Sequence, residues 1–104
     1  MAFVAYDLCL EYVRVVAPEL ARVRTCDADL ARQAQRALAS VCLNLAEGSG
    51  RRGADRRRHY RYASGSFREV RAAFDVAVAL GQLAAPPAAA LADRIGALLW
   101  RLGH

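Results

Sequence analysis

Six apolar side chains, Tyr60, Ala63, Phe67, Val70, Phe74 and Ala77, recur in alternating steps of three and four residues. A helix turns once in about 3.6 residues, so this spacing lays all six along one side. Such a seam suits packing against other helices. The pattern predicts one long helix over about residues 54–80, ended by Gly81. The rest of the chain then has to supply its partners.

Three further segments carry helical spacing. In residues 2–17, Val4, Leu8, Tyr12, Val15 and Val16 form an apolar stripe, and Pro18 is expected to stop the helix. In residues 27–47 the stripe is Leu30, Ala34, Ala37, Val41 and Leu45, beside a polar file of Gln33, Arg36, Ser40, Asn44 and Glu47. Asp27 can cap the start, because a carboxylate accepts the free N–H groups of a first turn. Gly48 is expected to stop it. In residues 87–102 the stripe is Leu91, Ile95, Leu98 and Leu102, opened by Pro86-Pro87 and closed by Gly103. Nothing shows sustained period-two alternation. The expectation is an all-α, antiparallel up-and-down four-helix bundle that takes residues 1–104 as a single domain.

A chain of 104 residues buries only about 60–65% of its unfolded surface, which makes self-association a natural supplement. All 15 basic residues are arginine and the net charge is +5, but the excess is local. Residues 1–29 hold three arginines against five acids, whereas residues 51–71 hold eight against Asp55 and Glu69. A concentrated basic patch attracts polyanions. Cys9, Cys26 and Cys42 are odd in number and lack CxxC spacing, so they read as free thiols of a reducing cytoplasm and not as a disulfide or zinc framework. The start at Met1-Ala2-Phe3-Val4 has no basic leader region, and Gln82 and Pro86-Pro87 break the longest apolar run. The expectation is a soluble cytoplasmic protein without a membrane partner.

The arginines are Arg51, Arg52, Arg56, Arg57, Arg58, Arg61, Arg68 and Arg71. Arg57, Arg61, Arg68 and Arg71 step with Ser64 by four and three, forming a stripe beside the apolar seam. An arginine fork donates two parallel hydrogen bonds to a phosphate, and the interleaved His59, Tyr60 and Tyr62 could stack on bases. The competing reading is a solvated face with Tyr60 in the core. Just before this stripe, Gly48-Ser49-Gly50-Arg51-Arg52-Gly53 satisfies GxGxxG. A helix precedes it and not a strand, which excludes a dinucleotide fold. It reads as a flexible connection, an anion site of exposed N–H groups, or both.

No catalytic constellation, metal site or cofactor can be assembled. His59 has only Asp55 at helical spacing, and an exposed Asp–His turn reads as a surface contact. Glu47 is expected to pair with an arginine across the bundle, and Asn44 to satisfy a buried backbone group. Gly65-Ser66 is expected to mark a tight helix contact, since mid-helix glycine costs about 1 kcal/mol relative to alanine.

Two stretches resemble a known family. Asn44, Ala46, Glu47 and Gly48 match an Asn-x-Ala-Glu-Gly motif, and Ala63, Gly65, Ser66 and Glu69 match a later Ala-x-Gly-Ser-x-x-Glu. Together they resemble the bacterial four-helix-bundle family of 23S ribosomal RNA intervening-sequence proteins. That family also includes the accessory variability determinant of diversity-generating retroelements. The resemblance implies a homopentameric barrel of four-helix protomers and a non-catalytic role. In the retroelement branch it implies binding to RNA or DNA and to a reverse transcriptase. The alternative is a protein-interaction module whose arginine face docks an acidic partner without touching nucleic acid.

Overall fold

The computed structural model describes residues 2–104, with side chains from Val4 onward. Met1 and the side chains of Ala2 and Phe3, which belong to the stretch read for a leader, lie outside the described residues. The chain forms α1 (Ala2–Cys26), α2 (Ala28–Ser49), α3 (Gly53–Ala79) and α4 (Ala89–Gly103). Contacts run α1–α2, α2–α3 and α3–α4, and α1–α4 closes the bundle. Ser40 lies opposite Ser66 and Asn44 opposite His59, while Arg61 meets Gly103 and Arg71 meets Asp93. Numbers rise on one helix as they fall on the next, so neighbours are antiparallel. The expected all-α four-helix bundle is the observed one.

The seam on α3 behaves as its spacing predicts. Tyr60, Ala63, Phe67, Val70, Phe74 and Ala77 are all buried. They meet Tyr12, Val16 and Val23 of α1, Ala34, Val41 and Leu45 of α2, and Ile95 and Leu99 of α4 in one core. Tyr12 and Phe67 meet edge to face across it, with ring centroids 5.2 Å apart. That is a favoured aromatic geometry.

The helix ends differ from expectation in four places. Pro18 does not stop α1, which continues to Cys26. Pro18 and Arg14 are both exposed, so the Arg14 carbonyl that loses its helical donor lies on the water side. Beyond Pro18 the core still holds Leu20 and Val23. The stripe itself is Ala5, Cys9, Tyr12, Val16, Leu20 and Val23, whereas Val4 and Val15 are exposed. On α2, Asp27 caps as expected, its Oδ1 accepting the Leu30 amide at 3.0 Å. Gly48, however, is helical and buried, and the helix ends one residue past it, with Gly50 as its C-cap at φ −89°. On α4 the two prolines lie outside the helix. Ala88, at φ +51°, turns the chain into it, and Pro87 is buried beneath that turn. Gly103 does not lie beyond α4 but forms its buried last residue.

Gly81 does end α3 as read. At φ +76° it is in the left-handed region, its N–H bonds Val78 O at 3.0 Å, and Gln82 N–H bonds Ala77 O at 2.8 Å. These are the two bonds of a Schellman closure.

Close helix approach is assigned to glycines other than the one expected. A Cβ on Gly48 would stand 2.6 Å from Tyr60 Cε1 and 3.2 Å from His59 Cβ. A Cβ on Gly103 would stand 2.8 Å from Arg61 Cγ and 3.3 Å from its Cα. At Gly65 a Cβ would meet nothing within 4 Å. Among the described residues no other helix approaches Gly65, so the tight contact expected there is not made within one chain. Ser66 does make an interhelical contact, its hydroxyl lying 2.8 Å from Ser40 Oγ.

Alanine substitution should separate the two kinds of glycine in a denaturant titration. Gly65→Ala should raise stability by about 0.5–1 kcal/mol, the helix-propensity gain in open space. Gly48→Ala should lower it by about 1–2 kcal/mol, because overpacking against the buried Tyr60 ring exceeds that gain. Equal shifts of the two midpoints would remove Gly48 from its spacing role.

Candidate nucleic-acid interface

The arginines that are close in sequence divide into two groups in space. The first gathers at the α2–α3 connection. Arg51 Nη2 and Nε donate to Glu47 Oε1 at 2.6 and 3.1 Å, and its Nη1 donates to Asp55 Oδ2 at 3.0 Å. Arg58 pairs with the other oxygen of Asp55. Arg56 Nε donates to the Arg51 carbonyl at 2.8 Å. Glu47 thus pairs with an arginine four residues ahead and not, as expected, with one across the bundle.

Both carboxylates are shifted by this company. Hydrogen bonding from Arg51, then its charge, holds Glu47 below the usual carboxylate range. For Asp55 desolvation pushes upward, but the Arg51 hydrogen bond and the charges of Arg58 and Arg51 outweigh it and leave Asp55 lowered.

The second group lies along the α3–α4 edge. Arg61 Nη1 donates to the Gly103 carbonyl at 3.4 Å, and Arg71 Nη2 to Asp93 Oδ1 at 2.7 Å. These contacts fix the direction of the stripe expected from spacing: Arg61, Ser64, Arg68 and Arg71 run beside α4, and Arg57 lies one turn beyond its end. Their Cα span along the helix is about 21 Å, from a rise of about 1.5 Å per residue. Arg52, Arg57 and Arg68 are exposed, and their guanidinium groups make no ion pair or hydrogen bond among the described residues. Of the eight arginines, Arg51, Arg58 and Arg71 have carboxylate partners. Arg52, Arg56, Arg57, Arg61 and Arg68 keep their charge uncompensated by an ion pair.

The glycine loop is more closed than an anion cradle would be. Gly50 N–H and Arg51 N–H turn back onto the carbonyls of Glu47 and Gly48 at 3.2 and 3.0 Å. Glu47 and Asp55 stand beside it, and their charge opposes an incoming anion. The reading as a helix–helix connection describes this loop better.

The aromatic residues also sort differently from the sequence reading. Tyr60 is in the core at 3% exposure, while Tyr62 is exposed and meets His59 edge to face at 5.8 Å. The aromatic that sequence reading missed is Trp100, which is 55% exposed and stacks on His104 at 3.7 Å. Asp93, Gly96, Trp100 and Gly103 follow one another by three, four and three residues on α4. Asp93 and Gly103 touch α3, and a Cβ on Gly96 would lie 3.7 Å from Arg71 Nη1. Trp100 therefore belongs to the side of α4 that faces the arginine file. The periodicity of α4 carried this signal, but only once its neighbour was known.

The motif residues Asn44, Gly48 and Ser66 line the α2–α3 seam. Asn44 Nδ2 donates to Ser40 O and Oγ at 2.9 and 3.2 Å, and Ser40 Oγ pairs with Ser66 Oγ. With its amide nitrogen so used, Asn44 presents Oδ1 to His59 Nδ1 at 3.1 Å, which makes Nδ1 the donor. The backbone group that Asn44 reaches is the part-buried carbonyl one turn back in its own helix, not a buried orphan, and its oxygen adds a link to His59. Glu69 is exposed and borders the groove over Ser40 and Ser66. Cys9, Cys26 and Cys42 are free thiols. Burial, reinforced by the nearby Cys42, pushes the Cys9 thiol up to about 12, so it stays protonated and inert in neutral solution. Among the described residues no group of three or more His, Cys, Asp or Glu side chains could hold a metal ion, and no helix is long and apolar enough to cross a membrane.

The lowered carboxylates give a pH prediction. Their contribution to stability is complete above the ordinary carboxylate range and is lost as pH falls through the lower folded values. Glu47→Gln and Asp55→Asn should therefore lower the thermal midpoint slightly at pH 7, since exposed pairs count for little, and the difference from wild type should close as pH falls below about 4, which makes the variant's acid limb shallower. An unchanged acid limb in the double variant would rule out the Arg51 cluster as a contributor.

Comparison with known proteins adds one positive finding. No curated protein and no solved structure matches the chain. The family model of the 23S rRNA-intervening sequence protein matches residues 4–102. That match spans all four helices and both motifs read from the sequence, and the chain belongs to the 23S rRNA-intervening sequence protein family.

Proposed function

We propose that this protein is a non-catalytic, oligomeric accessory protein that binds RNA or DNA through the α3–α4 edge. The family assignment supports a non-enzymatic role. One observation carries the binding reading: Arg57, Arg61 and Arg68 lie in one file with no carboxylate partner. Arginines left uncompensated at helical intervals form a strip of positive potential matched to a phosphate backbone. Arg52 and Arg56 extend the positive charge toward the α2–α3 connection, whereas Arg51, Arg58 and Arg71 are occupied by carboxylates and contribute less.

Self-association is the second part of the proposal. Val4 and Val15 of α1 and Leu43 of α2 are 51%, 47% and 68% exposed. Val4 and Val15 fall in one file with Leu8 and the charged Glu11, outside the core stripe of α1. Apolar side chains exposed on the outside of a small bundle are suited to a second copy. The homopentameric barrel and the reverse-transcriptase partner follow from the resemblance to the retroelement accessory proteins and are part of this reading.

Fluorescence anisotropy of labelled RNA and DNA across a salt series tests it, with light scattering alongside. Wild-type affinity should fall steeply with salt, because bound arginines displace condensed counterions. Arg57/Arg61/Arg68→Ala should flatten the slope of log K against log salt by about 2 for single strands, at unchanged particle size. Arg51/Arg58→Ala should change it much less. Wild-type protein that binds neither nucleic acid would overturn the proposal and leave the arginine file as a docking face for an acidic protein.

A further inference from the structure

Trp100 is the single tryptophan of the chain, and it is placed where a core residue would not be. The inner side of α4 is already filled by Ala92, Ile95, Leu98 and Leu99. Trp100 stays 55% exposed beside that core. A large aromatic in water gives up the burial energy that usually makes tryptophan worth keeping. Its ring is nonetheless ordered by a partner. His104, one turn on, lies parallel to it at 3.7 Å and 13°. The His104 ring is held in turn by Nδ1, which donates to the Trp100 carbonyl at 3.2 Å. The stack covers part of the indole and leaves the rest to solvent.

The position of this stack decides what it fits. Trp100 shares its file on α4 with Gly103, whose carbonyl receives Arg61, and with Gly96 and Asp93, which meet Arg71. Arg57 and Arg68, both exposed and without a partner among the described residues, flank Arg61 on the facing helix. A flat aromatic platform thus borders a strip of uncompensated guanidinium groups. A duplex offers phosphates but keeps its bases stacked on one another. A single strand offers both phosphates and free base faces. We infer that Trp100, backed by His104, is a stacking platform for an unpaired base, and that the α3–α4 edge takes single-stranded nucleic acid in preference to duplex. The inference rests on the polyanion reading of the same edge and adds to it the class of strand.

Because Trp100 is the only tryptophan, the fluorescence of the unlabelled full chain, excited at the red edge where its tyrosines do not absorb, reports on this residue alone. Oligo(dT) and oligo(U) of about 15 nucleotides should quench its emission on titration at low salt. A duplex of equal length should bind more weakly and leave the emission nearly unchanged. Trp100→Ala should weaken single-strand binding roughly tenfold, in line with base–aromatic stacking, and shift duplex binding less than about twofold. Trp100→Phe should recover part of the loss. Circular dichroism of both variants should match wild type, since the residue lies outside the core. Equal affinity of wild type for single strand and duplex, with no quenching and no effect of Trp100→Ala, would overturn the platform and leave the polyanion reading standing. Failure of wild type to bind either form would overturn both.

Discussion

The distance between α2 and α3 is set by the absence of a side chain at Gly48. The Tyr60 ring and the His59 stem occupy the volume that any Cβ at that position would take. With the backbones this close, the short side chains of Ser40 and Ser66 reach each other, and Asn44 reaches His59. Move the helices apart by one methyl group and these polar bonds lengthen beyond use, while Tyr60 loses its packing. The Asn-x-Ala-Glu-Gly motif is therefore a packing device. Asn44 and Gly48 are four residues apart, on the side of α2 that meets α3, and Glu47 points away to hold Arg51.

The charge of residues 51–71 is less concentrated than a count of arginines implies. Glu47, Asp55 and Asp93 each take arginines out of play. Exposed pairs of this kind add little to stability. Their effect is on where positive potential survives. At the α2–α3 connection the pairs draw it down near Gly50, where backbone N–H groups are already turned inward. Along the α3–α4 edge only Arg71 is drawn down, which leaves the middle of the file positive.

Legibility from sequence followed how local the determining interaction was. The α3 seam, the Asp27 cap and the Gly81 closure depend on residues within a turn or two, and spacing alone identified them. The reach of α1 past Pro18 depends on Leu20 and Val23 finding a core that other helices build, so a local rule about proline failed there. The glycines show the same division. Gly65 was read as a contact because a helical glycine needs a reason, and Gly48 as a stop because a glycine after a helix is a common stop. Which one another helix touches is a tertiary fact. At the candidate site, the arginine stripe was legible as a helical file. Its direction toward α4, its division from the Arg51 cluster, and the place of Trp100 depended on the register between two helices, which no single segment encodes.

A protein that uses arginine to bind must fix the side chain without neutralising it. A carboxylate partner fixes the guanidinium but consumes its charge, as at Arg51. Arg61 shows the other solution. Its stem and backbone lie against the end of α4 at Gly103, close enough to exclude any Cβ there, and its tip touches only a carbonyl. The apolar part of the side chain is held by packing, and a neutral dipole steadies the head, so the full charge remains available. Part of the ordering cost that binding would otherwise impose on a long side chain has then already been met in folding. On this view Gly103 serves the same end as Gly48 with a different result. At Gly48 close approach builds the seam that holds two helices, and at Gly103 it holds one arginine of the file in place beside Trp100.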